Sequence, residues 1–323
     1  MRYQLTCTKD DGEGRLDRYL HGKIGDLSRG ALRKIIELGG VHLAGRRCHK
    51  CGATVAVGAR VEVYLDGGPL DPFRLSEGNF LFVDRYLAVI NKPAGVETQS
   101  TPARYRGTLY EALLVRLRQD MGLGRDPEIG MPQRLDRDTS GIIVFSIHPS
   151  AHKELTRQIS ERLARKEYLA IISGCPQEER GRFHSFLRRD RNTGRVQSCG
   201  QGGQEAITDY TVLAGGDGLS LVHVLLHTGR THQIRAHFAE AGHPLAGDRP
   251  YGGPVELGGR VFPRQCLHSW RLSLVHPHSG KQMSWTAPLP EDMTFLGAPD
   301  PARIPSEIDS ERIILAGKGY SDS

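Results

Sequence analysis

Arg134-Leu135-Asp136-Arg137-Asp138-Thr139-Ser140-Gly141 runs directly into the apolar stretch Ile142-Ile143-Val144-Phe145. A run of β-branched and aromatic side chains bounded by Gly141 and Pro149 predicts a buried strand. The charged octet before it is then the loop entering that strand, and loops held by a rigid scaffold are where chemistry concentrates. Two carboxylates, Asp136 and Asp138, stand between Arg134 and Arg137, and guanidinium groups on the same side would favour the ionised form. Asp136 is therefore a candidate nucleophile or general base. The octet also suits a solvated turn with an Asx or Ser/Thr cap, and taken alone it favours that reading.

A second stretch shifts the balance. Thr228-Gly229-Arg230-Thr231-His232-Gln233-Ile234-Arg235-Ala236-His237 continues through Gly242-His243-Pro244-Leu245-Ala246-Gly247-Asp248 to Tyr251-Gly252. Its pattern predicts a strand over 221–226, a glycine-punctuated turn, and a short helix carrying Arg235, His237 and Phe238. Together the two stretches resemble the RluA-type branch of the pseudouridine synthases. Further elements of that branch follow in order: Asn91-Lys92-Pro93-Ala94-Gly95 upstream, Lys166-Glu167-Tyr168 after the first motif, and Leu267-His268-Ser269 before the final strands. Gln133 stands where relatives often carry His or Asn.

The resemblance implies an isomerase that detaches uracil from ribose in RNA and rejoins it through carbon, without cofactor or metal. It implies Asp136 as the catalytic carboxylate, Arg235 as its pairing partner and Tyr168 as the group stacking on the target base. Arg134 is implied as the side chain that enters the RNA helix when the nucleotide is everted. Lys92, Arg230, His232, Gln233 and Leu267 are expected around the substrate. The partner is then RNA, ribosomal RNA first and transfer RNA as the alternative. Relatives of this kind commonly work as monomers.

Residues 1–66 read as a separate module. Leu16 to Leu20 opens an amphipathic helix, and Leu27 to Ile36 supplies another with Ser28 as N-cap. After Gly39-Gly40 the apolar period falls to two, at Val41 and Leu43 and again over 54–64. This layout resembles the small ribosomal S-four-type, or alpha-L, RNA-binding domain, with Arg29, Arg33, Lys34 and Arg46 as expected RNA contacts. Those residues hold 12 Lys and Arg against 8 Asp and Glu, so +4 of the chain's net +6 sits in one fifth of its 323 residues. Such a local excess suits phosphate contact. A linker rich in Gly and Pro follows over 67–78, the catalytic domain is expected over 79–296, and a mobile tail over 297–323. Arg180, Arg182, Arg188, Arg189, Arg191 and Arg195 form a second basic cluster, read equally as a phosphate-facing hairpin or a solvated one.

Strands alternating with a few helices predict an α+β fold with a mainly antiparallel sheet. The family core implied by the resemblance is a curved mixed sheet flanked by helices, joined here to a small α/β N-terminal module. No apolar h-region opens the chain and no apolar segment reaches the ~20 residues that span a bilayer, so a cytoplasmic protein without membrane contact is expected. Cys7, Cys48, Cys51, Cys175, Cys199 and Cys266 are scattered, as reduced thiols are. Cys48-His49-Lys50-Cys51 lacks a second ligand pair, so no metal is expected. Two competing functions carry different signatures. A non-catalytic RNA chaperone would not need Asp136, Tyr168 and Arg235 together, and a hydrolase would need His232 or His237 paired with Asp248.

Overall fold

The computed structural model describes residues 1–121, 127–191, 193–297 and 304. The predicted central strand is Ser140–Ser146, with all seven residues buried. Alternation sends its side chains to both faces of the sheet. Ile143 and Phe145 join Ile90, Leu113, Leu117, Ala170, Val222, Val224 and Phe238 on one face. Ile142 and Val144 join Val89, Leu155, Leu272 and Trp285 on the other. Burial on both faces explains why the run reads as continuously apolar.

The sheet has ten strands, ordered Val196–Ser198, Arg180–Arg189, Gln204–Gly216, Leu219–Leu226, Arg165–Ser173, Leu267–Val275, Ser140–Ser146, Leu87–Lys92 and Phe80–Val83, with Gln282–Thr286 added beside Leu267–Val275. Every pairing is antiparallel except that between Leu267–Val275 and Ser140–Ser146. The architecture is thus the α+β, mainly antiparallel mixed sheet that the sequence predicts.

Five helices of the α type complete the described residues: α1 Leu16–Lys23, α2 Arg29–Leu38, α3 Leu109–Met121, α4 Pro149–Ser160 and α5 Gln233–Glu240. Leucines of α3 and Phe238 of α5 pack on one sheet face, and Leu155 of α4 on the other. Helix α4 ends at Ser160, and Arg162 takes a left-handed φ of 64° where the chain turns into the next strand.

Register brings the separate motifs into one row. Val224 pairs with Tyr168, Tyr168 with Ser269, Ser269 with Gly141 and Gly141 with Lys92. The row passes through Gly141 at φ 104°, where a Cβ would lie 2.1 Å from the Ser269 carbonyl oxygen. Only glycine allows that parallel pairing so close.

The first 64 residues build a four-stranded antiparallel sheet, ordered Arg2–Thr6, Arg60–Tyr64, Val41–Leu43 and Arg46–Cys48, with its own core of Leu16, Leu20, Leu32, Ile36, Val61 and Val63. Ser28 caps α2 by accepting from the Ala31 N–H at 3.2 Å. The segment 101–106 ties this sheet to the larger one: the Tyr105 N–H donates to Leu38 O at 2.7 Å, and Arg47 Nη2 to Thr101 O at 2.6 Å. Beyond the last strand, the tail expected over 297–323 lies outside the described residues except for Gly297 and Ile304.

Lys92 corrects an expectation. Rather than facing RNA it is fully buried, and its ammonium donates to Pro93 O and Val96 O at 2.9 Å and to Arg137 O at 2.8 Å. The proline geometry folds the following turn back over the ammonium, so the side chain becomes a strut under the Asp136 loop. Burial pushes its pKa down to about 7.

Gly141→Ala should destabilise the protein by about 3 kcal/mol or more, from a strained φ plus a backbone shift, read as a lower urea midpoint. Between about pH 7 and about pH 10.5 the unfolded chain still protonates Lys92 while the folded one has shed that proton, so this group makes stability rise with pH there. Lys92→Met should flatten that part of the profile, and an unchanged slope would show that Lys92 does not titrate in this window.

Candidate active site

Asp136 sits on a loop fastened at several backbone atoms. Thr98 Oγ1 donates to Leu135 O at 2.6 Å and accepts from Leu135 N at 3.3 Å. Lys92 holds Arg137 O, and Arg264 Nη1 donates to Asp138 O at 3.0 Å. The Thr139 N–H closes a turn onto Asp136 O at 3.1 Å. With its backbone held, the carboxylate has a fixed direction.

That direction is toward α5. Arg235 Nη1 donates to Asp136 Oδ2 at 2.9 Å across 99 residues of sequence. The same guanidinium grips Asp248 bidentately, Nε to Oδ2 at 2.6 Å and Nη2 to Oδ1 at 2.8 Å. Arg235 is 6% exposed and Asp248 fully buried, whereas Asp136 keeps 28% of its side chain exposed. Burial alone would lower the Arg235 pKa, but hydrogen bonds and charge from Asp248, joined by Asp136, outweigh it and raise it. A cation that cannot lose its proton therefore faces Asp136.

His232, the residue before α5, adopts a left-handed φ of 52°. This conformation costs a non-glycine residue about 1–3 kcal/mol and is found where function requires it. Its Nδ1 lies 3.0 Å from Tyr251 Oη, and its Nε2 lies 3.7 Å from Asp136 Oδ2. Burial lowers its pKa below the usual imidazole range, against the charge of Asp136, which acts to raise it. Tyr251 Oη accepts from Val196 N at 2.8 Å and its ring lies 4.9 Å from the Arg235 guanidinium carbon.

Asp136, Tyr168, Arg235, Ile234 and Leu267 line one cavity of about 120 Å³. That is well below the ~300 Å³ at which drug-sized sites begin, so it suits one ring rather than a whole nucleotide. Burial pushes the Tyr168 phenol up to about 12, with the Asp136 charge adding to the effect, so it stays protonated. A groove of about 1030 Å³ continues from Asp136 past Arg134, Arg189, Arg230 and Arg249.

The expected residues divide accordingly. Asp136, Tyr168, Arg235, Leu267, Arg134, Arg230 and His232 meet at the cavity or groove. Gln233 lines the cavity but is spent internally: its Oε1 accepts from Thr228 Oγ1 at 2.7 Å and Arg230 N at 3.0 Å, and its Nε2 donates to Ile207 O and Thr208 Oγ1. It shapes the turn before α5 and has no amide group left for RNA, a correction to its expected substrate role. In the N-terminal unit Arg33 and Arg46 are exposed, Arg29 pairs with buried Asp17 at 2.7 Å, and Lys34 with Asp71 at 2.8 Å.

No hydrolase pair forms. Asp248 is taken up by Arg235, and His237 lies buried between Thr208 Oγ1 at 2.9 Å and Ser185 Oγ at 3.0 Å. Thr98, Arg264 and the supporting role of Asp248 escaped the sequence reading. Only Asp248 carried a signal, standing after Gly247 in the second motif stretch.

The described residues include no helix long and apolar enough to cross a membrane. A family profile described as RNA pseudouridylate synthase matches residues 86–240. The ribosomal large subunit pseudouridine synthase D of Nitrosomonas europaea is 39% identical over 221 residues, 67% of this chain and 63%, just under two thirds, of that protein. The protein of the same name from Zymomonas mobilis is 34% identical over 311 residues, covering 91% of this chain and 96% of its own. Among solved structures, human RNA pseudouridylate synthase domain containing 1 superposes with a TM-score of 0.55 at 26% identity, over 76% of this chain and 96% of that one. Through this similarity along nearly its whole length, and with the motif residues assembled around one cavity, the chain belongs to the RNA pseudouridine synthase family.

Proposed function

We propose that the chain converts uridine to pseudouridine in large-subunit ribosomal RNA, with Asp136 as the catalytic carboxylate. The observation that carries this reading is the Arg235–Asp136 ion pair at the mouth of a ring-sized cavity shared with Tyr168. Relatives whose names specify the large ribosomal subunit support that choice of RNA.

The isomerisation requires an ionised carboxylate, a surface for the freed ring, and exclusion of water. Arg235 keeps a positive charge against Asp136 and fixes its orientation. Tyr168 offers an aromatic face that stays neutral, beside Leu267 and Ile234. The uridine must leave its stack to reach this depth, at a cost of roughly a few kcal/mol. Arg134, exposed at the rim, is suited to occupy the space it vacates. Arg189, Arg230 and Arg249 along the groove supply charge for the RNA backbone. Residues 1–66 act as an S-four-type docking module in this scheme, with Arg33 and Arg46 presenting guanidinium groups to solvent.

Incubated with deproteinised ribosomal RNA, the wild type should form pseudouridine in the large-subunit fraction. Product confined to transfer RNA would reassign the substrate, and none in either RNA would defeat the reaction. Asp136→Asn should cut turnover at least about 10³-fold while RNA affinity stays nearly constant. Asp248→Asn strands one edge of a buried guanidinium. It should cost about 3 kcal/mol of stability and lower kcat more than it raises KM. Unaltered kcat would mean that Arg235 orients Asp136 without Asp248.

A further inference from the structure

The strand Arg165–Ser173 sends alternate side chains to opposite faces of the sheet. Glu167 faces one way and is fully engaged there, with Arg165 Nε at 2.8 Å and His223 Nε2 at 2.7 Å. Lys166 and Tyr168 face the other way, and both line the cavity that holds Asp136. Lys166 is only 6% exposed. Among the described residues no carboxylate or carbonyl oxygen engages its ammonium.

The charged groups that act on Lys166 are Arg162 and Arg230, both cations. Arg162 is paired with Glu205 at 2.8 Å. Arg230 spends its Nε on the Glu205 carbonyl oxygen at 2.9 Å, and its two terminal nitrogens have no partner among the described residues. The Lys166 ammonium lies against the turn that carries Arg230, since a Cβ added at Gly229 would be 3.4 Å from Nζ. Lys166 and Arg230 thus converge at one end of the cavity, and among the described residues no carboxylate is hydrogen-bonded to either.

A nearly buried charge without a counter-ion is costly to a fold even where, as at Lys166, the Nζ keeps contact with the solvent of the cavity. Lys92 shows how this chain satisfies a buried ammonium when the role is structural, with three carbonyl oxygens around it. Lys166 has none of these. Burial pushes its pKa down to about 8, which still leaves it charged at neutral pH.

We propose that Lys166 and the terminal nitrogens of Arg230 form a subsite for a phosphodiester group adjoining the everted uridine. This deepens the reading of the chain as an RNA uridine isomerase and rests on it. Lys166 and Tyr168 are two residues apart on one strand face, roughly 7 Å, a separation that lets the base reach Tyr168 while its backbone meets Lys166. An ammonium and a guanidinium edge together match the several acceptor oxygens of a phosphate. The alternative anion is the detached uracil ring, which would use Lys166 during the reaction rather than in binding.

The test compares wild type, Lys166→Met and Lys166→Arg for binding to a large-subunit ribosomal RNA fragment across a salt series, together with kcat, KM and the Tm of the free proteins. Lys166→Met should weaken binding about tenfold or more. It should also reduce the slope of log affinity against log salt by about 0.7, the share of one single-strand phosphate. Lys166→Arg should restore the slope. The free Lys166→Met protein should melt at a higher temperature, because an unpaired buried charge is gone; a structural strut would give a lower one. A lower kcat with slope and KM unchanged would move Lys166 to the uracil ring and overturn the phosphate subsite, as would a fall in Tm with RNA binding intact. Absence of pseudouridine from the wild-type reaction would count against the proposed reaction, whereas the salt slope, read from binding alone, decides the phosphate contact.

Discussion

One guanidinium organises this protein. Arg235 lies between two carboxylates and divides its five N–H donors unequally: one edge, Nε with Nη2, closes on buried Asp248 and the remaining nitrogen reaches Asp136. Burying such a cation is expensive, and dry Asp248 offsets that expense with a bidentate contact. Asp136 is then free to keep part of its surface open to the cavity. Two carboxylates on one arginine thus acquire different characters from environment alone, the enclosed one structural and the open one available for chemistry.

The sheet makes this geometry reproducible. The register row from Val224 to Lys92 aligns five strands, so the motif residues they carry converge. The loop carrying Asp136 is then held through its backbone by Thr98, Lys92 and Arg264, leaving its side chains to face the groove. Arg137 extends the same fastening outward, donating to Asp66 O at 2.7 Å. Asp66 also receives Arg104 Nε at 2.7 Å. The segment joining the two sheets is in this way connected directly to the loop of Asp136.

Positive charge follows function by position more than by amount. A net +6 over 323 residues is modest, yet Arg134, Arg189, Arg230 and Arg249 all line one groove. Several arginines elsewhere are neutralised in place, such as Arg182 on Asp209 and Arg157 on Glu154 and Glu161. Among the described residues none of the four groove arginines is in an ion pair, and in the proposed reading they meet RNA phosphates and make binding sensitive to salt.

Much was legible in the amino-acid sequence. Periodicity identified the buried strand at 142–145, the helices at 16–20 and 27–36, the short helix carrying Arg235, and the Ser28 cap, because local patterns of two and 3.6 residues report directly on which side chains are covered. Motif order also brought Asp136, Tyr168 and Arg235 forward as one group. What the chain alone left open was partnership. Lys92 and Gln233 both read as substrate contacts; the first proves to be a buried strut and the second to hold its own turn. Asp248, Thr98 and Arg264 acquire their roles only when segments far apart in sequence meet. The strand Arg2–Thr6 likewise declares itself only by pairing with Arg60–Tyr64. Hydrogen-bond partners and counter-charges are decided by distances across the folded molecule, which no local pattern encodes, so the sequence put forward the candidate reactive residues and the tertiary structure determined what each one is bonded to.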